Sequence, residues 1–310
     1  MNILVVGGAG YIGSMLTPRL LENGHKVHVV DILRYKQKPL LDLCHRPDFD
    51  FTMGDFRDTK LIESLLPKYD FVIMLAALVG MDMCDKYPHE AQSTNADAVR
   101  HLIASDKLSD SQGLIYPCSN SGYGVGQKNE FCTEETPLKP VSLYGRTKIE
   151  AEKLILDRGN SISLRLATVF GASPCMRTGL LVNDFVLQAL RDRAIPVFQS
   201  HFMRNYIHIL DVVSAFILSV DKFFEMKGNA FNVGLSDANL SKRQLCDQIK
   251  KYIDFEIVEV EYKTDPDQRN YIVSNKKIEA MGFVPKHSID DGIRELIKAY
   301  RINRISYYYW

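Results

Sequence analysis

Little in this sequence would build a disulfide framework, a zinc site or a membrane anchor. Its six cysteines (Cys44, Cys84, Cys118, Cys132, Cys175 and Cys246) are scattered, with no Cys-x-x-Cys pair and no Cys/His cluster at zinc spacing. They read as free thiols in a reducing compartment, and no metal is expected. Net charge is missing too. The 38 Lys and Arg residues balance 38 Asp and Glu, so no global field draws the chain to nucleic acid or to an anionic membrane. Long hydrophobic runs are absent, since the longest, residues 71–80, is too short to span a bilayer. No basic leader precedes an apolar core at the start of the chain, which argues against a signal peptide and for a cytoplasmic location. The 310 residues and their ordinary apolar content allow one large domain, or a large and a small one, each with a real core.

The first twelve residues after Met1 organise the rest. Ile3-Leu4-Val5-Val6 reads as a short buried parallel strand, followed by Gly7, Gly8, Gly10 and Gly13, where backbone can approach a ligand closely. A helix should open near Tyr11 and Ile12. Its unpaired N–H groups and positive dipole end suit the pyrophosphate of a dinucleotide. The run Gly7-Gly8-Ala9-Gly10-Tyr11-Ile12-Gly13 fits two fingerprint spacings, from Gly7 or from Gly8. A second strand over residues 26–30 ends on Asp31, at the distance at which an acidic residue binds the adenosine ribose hydroxyls. That carboxylate repels a 2′-phosphate and favours NAD over NADP, while Arg34 nearby could accommodate the phosphate.

Strands and helices then alternate. Residues 49–51 read as a third strand, with Asp55 and Phe56 in an acidic turn beside the adenine. A helix over 60–66 has Asp58 or Thr59 as its cap, and a fourth strand over 70–75 runs into Ala76-Ala77, where small side chains let backbone near the cofactor. Residues 88–108 read as a long helix carrying Asn95. A fifth strand over 113–118 leads to Ser119, a helix over 142–156 has Ser142 at its start, and a sixth strand covers 161–167. The alternation predicts an α/β fold, a doubly wound parallel sheet over residues 1–170, with a smaller α/β lobe over 171–310. In that lobe, strands are expected at 195–198, 206–207, 230–233 and 256–261. Helices are expected at 180–191, 211–222, 242–252, 275–281 and 289–302. The Tyr-rich tail 307–310 suggests packing on a surface or on a second subunit.

Tyr144 and Lys148 stand four apart on a predicted helix, so both side chains can reach one point. A neighbouring ammonium favours phenolate over phenol and should lower the tyrosine pKa from about 10. The phenolate could then take the proton of a substrate hydroxyl while hydride passes to a nicotinamide ring. Ser119 would hydrogen-bond the same oxygen. Cys118 reads as a buried small residue rather than a nucleophile, His208 as a structural histidine, and Asp82 and Asp85 as capping groups as readily as sugar contacts.

Taken together, Gly7-x-x-Gly10-x-x-Gly13, Asp31, Gly54-Asp55, Ala76-Ala77, Asn95, Ser119, Tyr144-x-x-x-Lys148, Leu164-Arg165, Val169-Phe170-Gly171 and Arg204-Asn205-Tyr206-Ile207-His208 resemble the extended short-chain dehydrogenase/reductase superfamily. Within it the likeness is to the nucleotide-sugar epimerases and dehydratases, and it covers nearly the whole chain. The resemblance implies that Tyr144 is the base, that Lys148 holds the cofactor ribose and tunes Tyr144, and that Ser119 orients the substrate hydroxyl. It also implies Asn95 as a cofactor contact, Asn183, Arg204 and Arg269 on the nucleotide diphosphate, and Ser121 and Thr168 toward the substrate. Arg269 could equally be a loop charge. Dehydratases of this kind carry an Asp-Glu acid/base pair where this chain has Asn120-Ser121, which argues against elimination of water. The likeness leans toward bacterial capsular-polysaccharide enzymes, including those acting on GDP-manno-heptose, and toward release of a 4-keto sugar. 4-Epimerisation is the alternative outcome. A non-catalytic NAD-sensing protein would be expected to lack the tyrosine or the lysine. The partners so implied are a nucleotide-diphosphate sugar and a second copy of the chain, the homodimer formed by the helices that begin near Pro88 and Ser142.

Overall fold

The apolar runs pair as one sheet. The structure, a computed structural model, describes the chain except residues 36, 128, 261–267 and 304–310, so the expectations for the tail 307–310 and for the last residue of a strand over 256–261 lie outside the described residues. Seven strands stand in the order Asn229–Val233, Ser161–Leu166, Gly113–Ser119, Phe71–Met74, Asn2–Val6, Lys26–Asp31, Phe49–Met53, and every pairing is parallel. Such strands are covered on both faces, which is why Asn2–Val6, Phe71–Met74 and Gly113–Ser119 lack polar alternation. Val6 lies opposite Val30 on one side and Met74 on the other. The chain order reverses there, and a crevice opens beyond the strand ends.

The seventh strand differs from the expectation, which gave residues 230–233 to the smaller lobe. Asn229–Val233 instead pairs along Ser161–Leu166 as the sheet edge. The helix Ile209–Asp221 carries the chain back, burying Val212, Val213 and Phe216 in the cluster that holds Leu16 and Leu20 of the first helix, Gly13–Glu22. A second core packs the helices Leu181–Arg191, Lys242–Lys250 and Ile289–Ile302 through Val182, Phe185, Leu245, Ile249, Ile293 and Leu296.

The helix expected over 88–108 is broken into Pro88–Gln92, a π-helical turn Ser93–Asp97, and Ala98–Ala104. Asn95 sits in the wide turn. Its Oδ1 accepts from the Leu78 N–H at 2.8 Å, and its Nδ2 donates to the Leu78 carbonyl at 2.9 Å. Sequence periodicity misses such a turn, because one side chain's bonds to a distant backbone create it. A short helix, Met81–Lys86, follows the same loop without having been expected, and neither Asp82 nor Asp85 caps it, since Gly80 is its N-cap.

The helix Leu143–Asp157 starts on Ser142, whose Oγ accepts from the Gly145 N–H at 3.1 Å. A buried ion pair fixes it to the sheet. Arg165 donates to both carboxylate oxygens of Glu152, at 3.0 and 3.1 Å from Nε, and Ser163 Oγ adds a bond of 2.5 Å. With its partners this close the pair is satisfied, but loss of either would strand a charge in the core. Among the described residues no helix is long and apolar enough to cross a membrane, and no His/Cys/Asp/Glu group could hold a metal ion.

Candidate active site

The glycines divide into packing and access roles. A Cβ on Gly7 would stand 2.3 Å from the Ala76 nitrogen, and one on Gly13 would stand 2.5 Å from the Gly8 Cα. Both residues let backbones touch. A Cβ on Gly10 would meet nothing closer than the Gly7 carbonyl at 3.4 Å. Gly10 therefore faces the cleft, where the missing side chain leaves room for a ligand. The Tyr11 and Ile12 N–H groups have no acceptor among the described residues, whereas the Ser14 N–H already bonds to the Gly10 carbonyl at 2.9 Å. A ring of glycine backbone and free helix N–H groups fits a pyrophosphate.

The adenosine end of the cleft is lined by Asp31, Arg34, Asp55, Phe56, Ala76 and Ala77. Asp31 accepts from the Ala9 N–H at 3.0 Å and the Leu33 N–H at 2.8 Å. Burial pushes its carboxyl above the ordinary value, opposed by those two bonds. Arg57 clasps Asp55 at 2.6 Å and holds that carboxyl low. Arg34 is paired with Glu90, so its guanidinium is engaged on a carboxylate rather than presented to a 2′-phosphate. The residues thus fit NAD. Asn95 is not among the lining residues; it clamps the Ala76–Leu78 loop and reaches Thr147 Oγ1 at 3.2 Å.

At the other end, Ser119 closes the strand Gly113–Ser119, and its Oγ accepts from the Ser121 N–H at 3.2 Å. Tyr144 packs against the cluster of Leu78, Cys84 and Ala91. Burial pushes its phenol up to about 12, opposed first by Arg177 and then by Arg269. Lys148 is buried, and its Nζ lies 4.0 Å from the centroid of the Tyr116 ring. Burial lowers its pKa to about 8.

The lowering of the tyrosine pKa expected from the neighbouring ammonium is not what the protein alone produces: desolvation of the phenolate dominates, and the cation that leads the opposition is Arg177. Sequence reading missed this residue because it lies in an irregular loop 33 positions after Tyr144 in the chain. Arg177 reaches the Val79 carbonyl at 2.9 Å, so it crosses from the second lobe to the loop beside Tyr144. Cys118 is buried, with its thiol pushed up by desolvation; it is no nucleophile.

The residues expected on the substrate separate into two groups. Thr168 begins the strand Thr168–Phe170 beyond the sixth sheet strand, and Ser121 lies buried next to Ser119. Arg204 is also buried. It donates to the Met203 carbonyl at 2.9 Å and to the Arg269 carbonyl, which brings residues 204 and 269 together. Asn183 is engaged inside the protein. Its Oδ1 accepts from the Gly171 N–H at 3.0 Å, and its Nδ2 donates to the Arg177 carbonyl at 3.0 Å. It holds the loop that carries Arg177. His208 caps the helix Ile209–Asp221, its Nδ1 accepting from the Leu210 N–H at 3.3 Å, and its Nε2 lies 3.1 Å from a Glu295 carboxylate oxygen.

Comparison with known proteins agrees with this geometry. The model of the NAD dependent epimerase/dehydratase family matches residues 3–234. The chain is 28% identical to a UDP-glucose 4-epimerase of Lactobacillus helveticus, over 94% of this chain and 95% of that one. It is also 28% identical to the low-salt glycan biosynthesis protein Agl12 of Haloferax volcanii, over 97% and 98%. Among solved structures, the UDP-glucose 4-epimerase of Thermotoga maritima superposes with a TM-score of 0.85 at 27% identity, covering 98% of this chain and 100% of that one. The chain belongs to the NAD-dependent epimerase/dehydratase family, whose members are enzymes acting on nucleotide sugars.

Proposed function

We propose that the protein oxidises the C4 hydroxyl of a nucleotide-activated hexose or heptose and releases the 4-keto sugar, as a step in making a surface-polysaccharide sugar. The reading is supported by Ser119 at the end of the strand Gly113–Ser119 and by Tyr144 and Lys148 one turn apart on the helix Leu143–Asp157, whose Lys148 carbonyl accepts from Tyr116 of that strand, with Asn120 and Ser121 after Ser119 in place of any carboxylate. Ser119 Oγ holds the substrate hydroxyl, and Tyr144 Oη receives its proton. Bound NAD supplies the hydride acceptor. Lys148 donates to the cofactor ribose, and Arg177 with Lys148 supplies the positive charge a buried phenolate needs. Arg204, and Arg269 beside it, are suited to the diphosphate, which a planar guanidinium can bind through two hydrogen bonds. With amide and hydroxyl groups at 120 and 121, no second acid/base pair is at hand to expel water from the keto sugar. GDP-manno-heptose is one candidate substrate. The active unit is proposed as a homodimer.

The second reading is 4-epimerisation, favoured by the named activity of the UDP-glucose 4-epimerases that resemble the chain. Both outcomes begin with the same proton and hydride transfers. Incubation of the enzyme and NAD with UDP- and GDP-sugars, followed by mass spectrometry and NMR of the product, separates them. A mass lower by two hydrogens is the expected result. Unchanged mass with inverted C4 would replace oxidation by epimerisation, and recovery of every sugar unchanged would remove both.

A further inference from the structure

Arg34, Arg57 and Arg165 are each paired with a carboxylate, on Glu90, Asp55 and Glu152. Arg177 has no such partner among the described residues. Its side chain there makes one hydrogen bond, to the Val79 carbonyl, and a Cβ on Gly80 would stand 3.2 Å from its Nη2. Leu78, the residue before Val79, packs in the same cluster as Tyr144. A half-buried guanidinium without a counter-ion is thus set against the backbone beside the phenol, where it leads the opposition to the burial that raises Tyr144. A fixed cation in such a place favours phenolate over phenol.

A run of bonds from the cofactor turn holds Arg177 there. The Tyr11 hydroxyl donates to the Gly171 carbonyl at 2.7 Å. Ser173 Oγ donates to the Tyr11 carbonyl at 2.8 Å and lies 2.9 Å from Ser14 Oγ. Glu295 takes the Ala172 N–H at 2.6 Å. Asn183 then ties the two ends of the loop, accepting from the Gly171 N–H and donating to the Arg177 carbonyl, both at 3.0 Å. Tyr11 is also a residue whose N–H is open to the pyrophosphate site. Gly171 lies 160 positions after it in the chain, so no local rule of helix or turn demands these bonds.

We propose that residues 171–183 form a strap through which Tyr11 and Ser173, at the cofactor turn, position Arg177 beside Tyr144. This rests on the reading of Tyr144 as the proton acceptor. Arg177 is the positioning residue that acts on the phenol by its charge, and Tyr11 and Ser173 act through Arg177. The residue that seats the pyrophosphate with its N–H thereby helps to poise the base with its hydroxyl. Coupling of this kind runs through a contiguous chain of bonds, and only a double-mutant cycle demonstrates it. Besides Arg177, the groups facing the phenol are Arg269, Cys84 and Cys118, with Lys148 one turn on along the same helix.

The test needs no sugar. NAD-loaded enzyme is jumped in a stopped-flow mixer from pH 7 to final values between pH 8 and pH 12, and tyrosinate absorbance is read at 295 nm within milliseconds. The step missing from Tyr144→Phe belongs to Tyr144. Arg177→Gln should move that step up by about one pH unit or more, or out of the window, and Arg177→Lys, which keeps a cation, by about half a unit or less. Tyr11→Phe combined with Ser173→Ala should move it up by about half a unit or more in the parent, and should add nothing on the Arg177→Gln background. Four results overturn the strap: no Tyr144 step in the parent, a step that Arg177→Gln leaves in place, a step that Arg177→Lys moves as far as Arg177→Gln does, or a tether effect that is nil or is equal with and without Arg177. The predicted shifts in an enzyme that oxidises no nucleotide sugar would remove the oxidation reading and leave the strap in place.

Discussion

The Lys148 ammonium lies 4.0 Å from the centroid of the Tyr116 ring, and the Tyr116 hydroxyl donates to the Lys148 carbonyl at 3.4 Å. One fully buried aromatic side chain on the strand that ends in Ser119 thus holds the lysine at both its head and its backbone. A desolvated cation over an aromatic face gains about 2 kcal/mol. Tyr116→Phe keeps the ring and should leave NAD affinity within about threefold, while Tyr116→Leu should weaken it by about tenfold or more. Calorimetric titration of both variants with NAD checks this.

The same lysine sets a pH signature of two opposite signs. Burial lowers its pKa from 10.5 to about 8. Between these values the unfolded chain holds a proton that the native chain has released, so this group raises stability as pH climbs through the window and costs stability below it. The gain is at most about 3 kcal/mol. NAD binding should move the other way and weaken above pH 8, where Lys148 loses the charge that helps it donate. Melting and NAD titration between pH 7 and pH 10 should diverge in this manner, and Lys148→Met should abolish both trends.

Glycine substitutions should separate binding from folding. Gly10→Ala has space within the protein but fills the ligand's side of the turn, so NAD affinity should fall about a hundredfold with little change in melting temperature. Gly13→Ala drives a methyl into Gly8 and should cost about 1–3 kcal/mol of stability. Thermal melts and NAD titrations of the pair check the division.

Cofactor choice depends on Glu90 as well as Asp31. Removing the carboxylate that occupies Arg34 should free a guanidinium at the ribose end of the cleft. Glu90→Gln is expected to raise NADP affinity by about tenfold and to leave NAD affinity nearly unchanged. Competitive titration with the two nucleotides gives the ratio.

Much of this arrangement was legible from residue order alone. The apolar strand before Gly7, the spacing to Asp31, the serine cap before Tyr144 and the helix over 289–302 all follow from local pattern, and the structure has them in place. What was illegible depends on contacts between distant residues. The return of Asn229–Val233 to the sheet edge needs a partner 60-odd residues away, and the π-helical turn at Asn95 needs the Leu78 backbone. Arg34 with Glu90, Lys148 with Tyr116, and Arg177 with Val79 are likewise pairings that no periodicity announces. Burial also reversed one sign. An ammonium near a phenol suggested a lowered pKa for Tyr144, yet desolvation dominates and pushes it up to about 12.

The central claim is that Tyr144 is the group that takes the proton of the sugar hydroxyl. The most direct measurement compares the parent and Tyr144→Phe, each loaded with NAD and mixed with the nucleotide sugar that the parent turns over, following absorbance at 340 nm and product mass. The account predicts unchanged NAD affinity and a loss of turnover of about a hundredfold or more. Turnover by Tyr144→Phe at the parent's rate would contradict it.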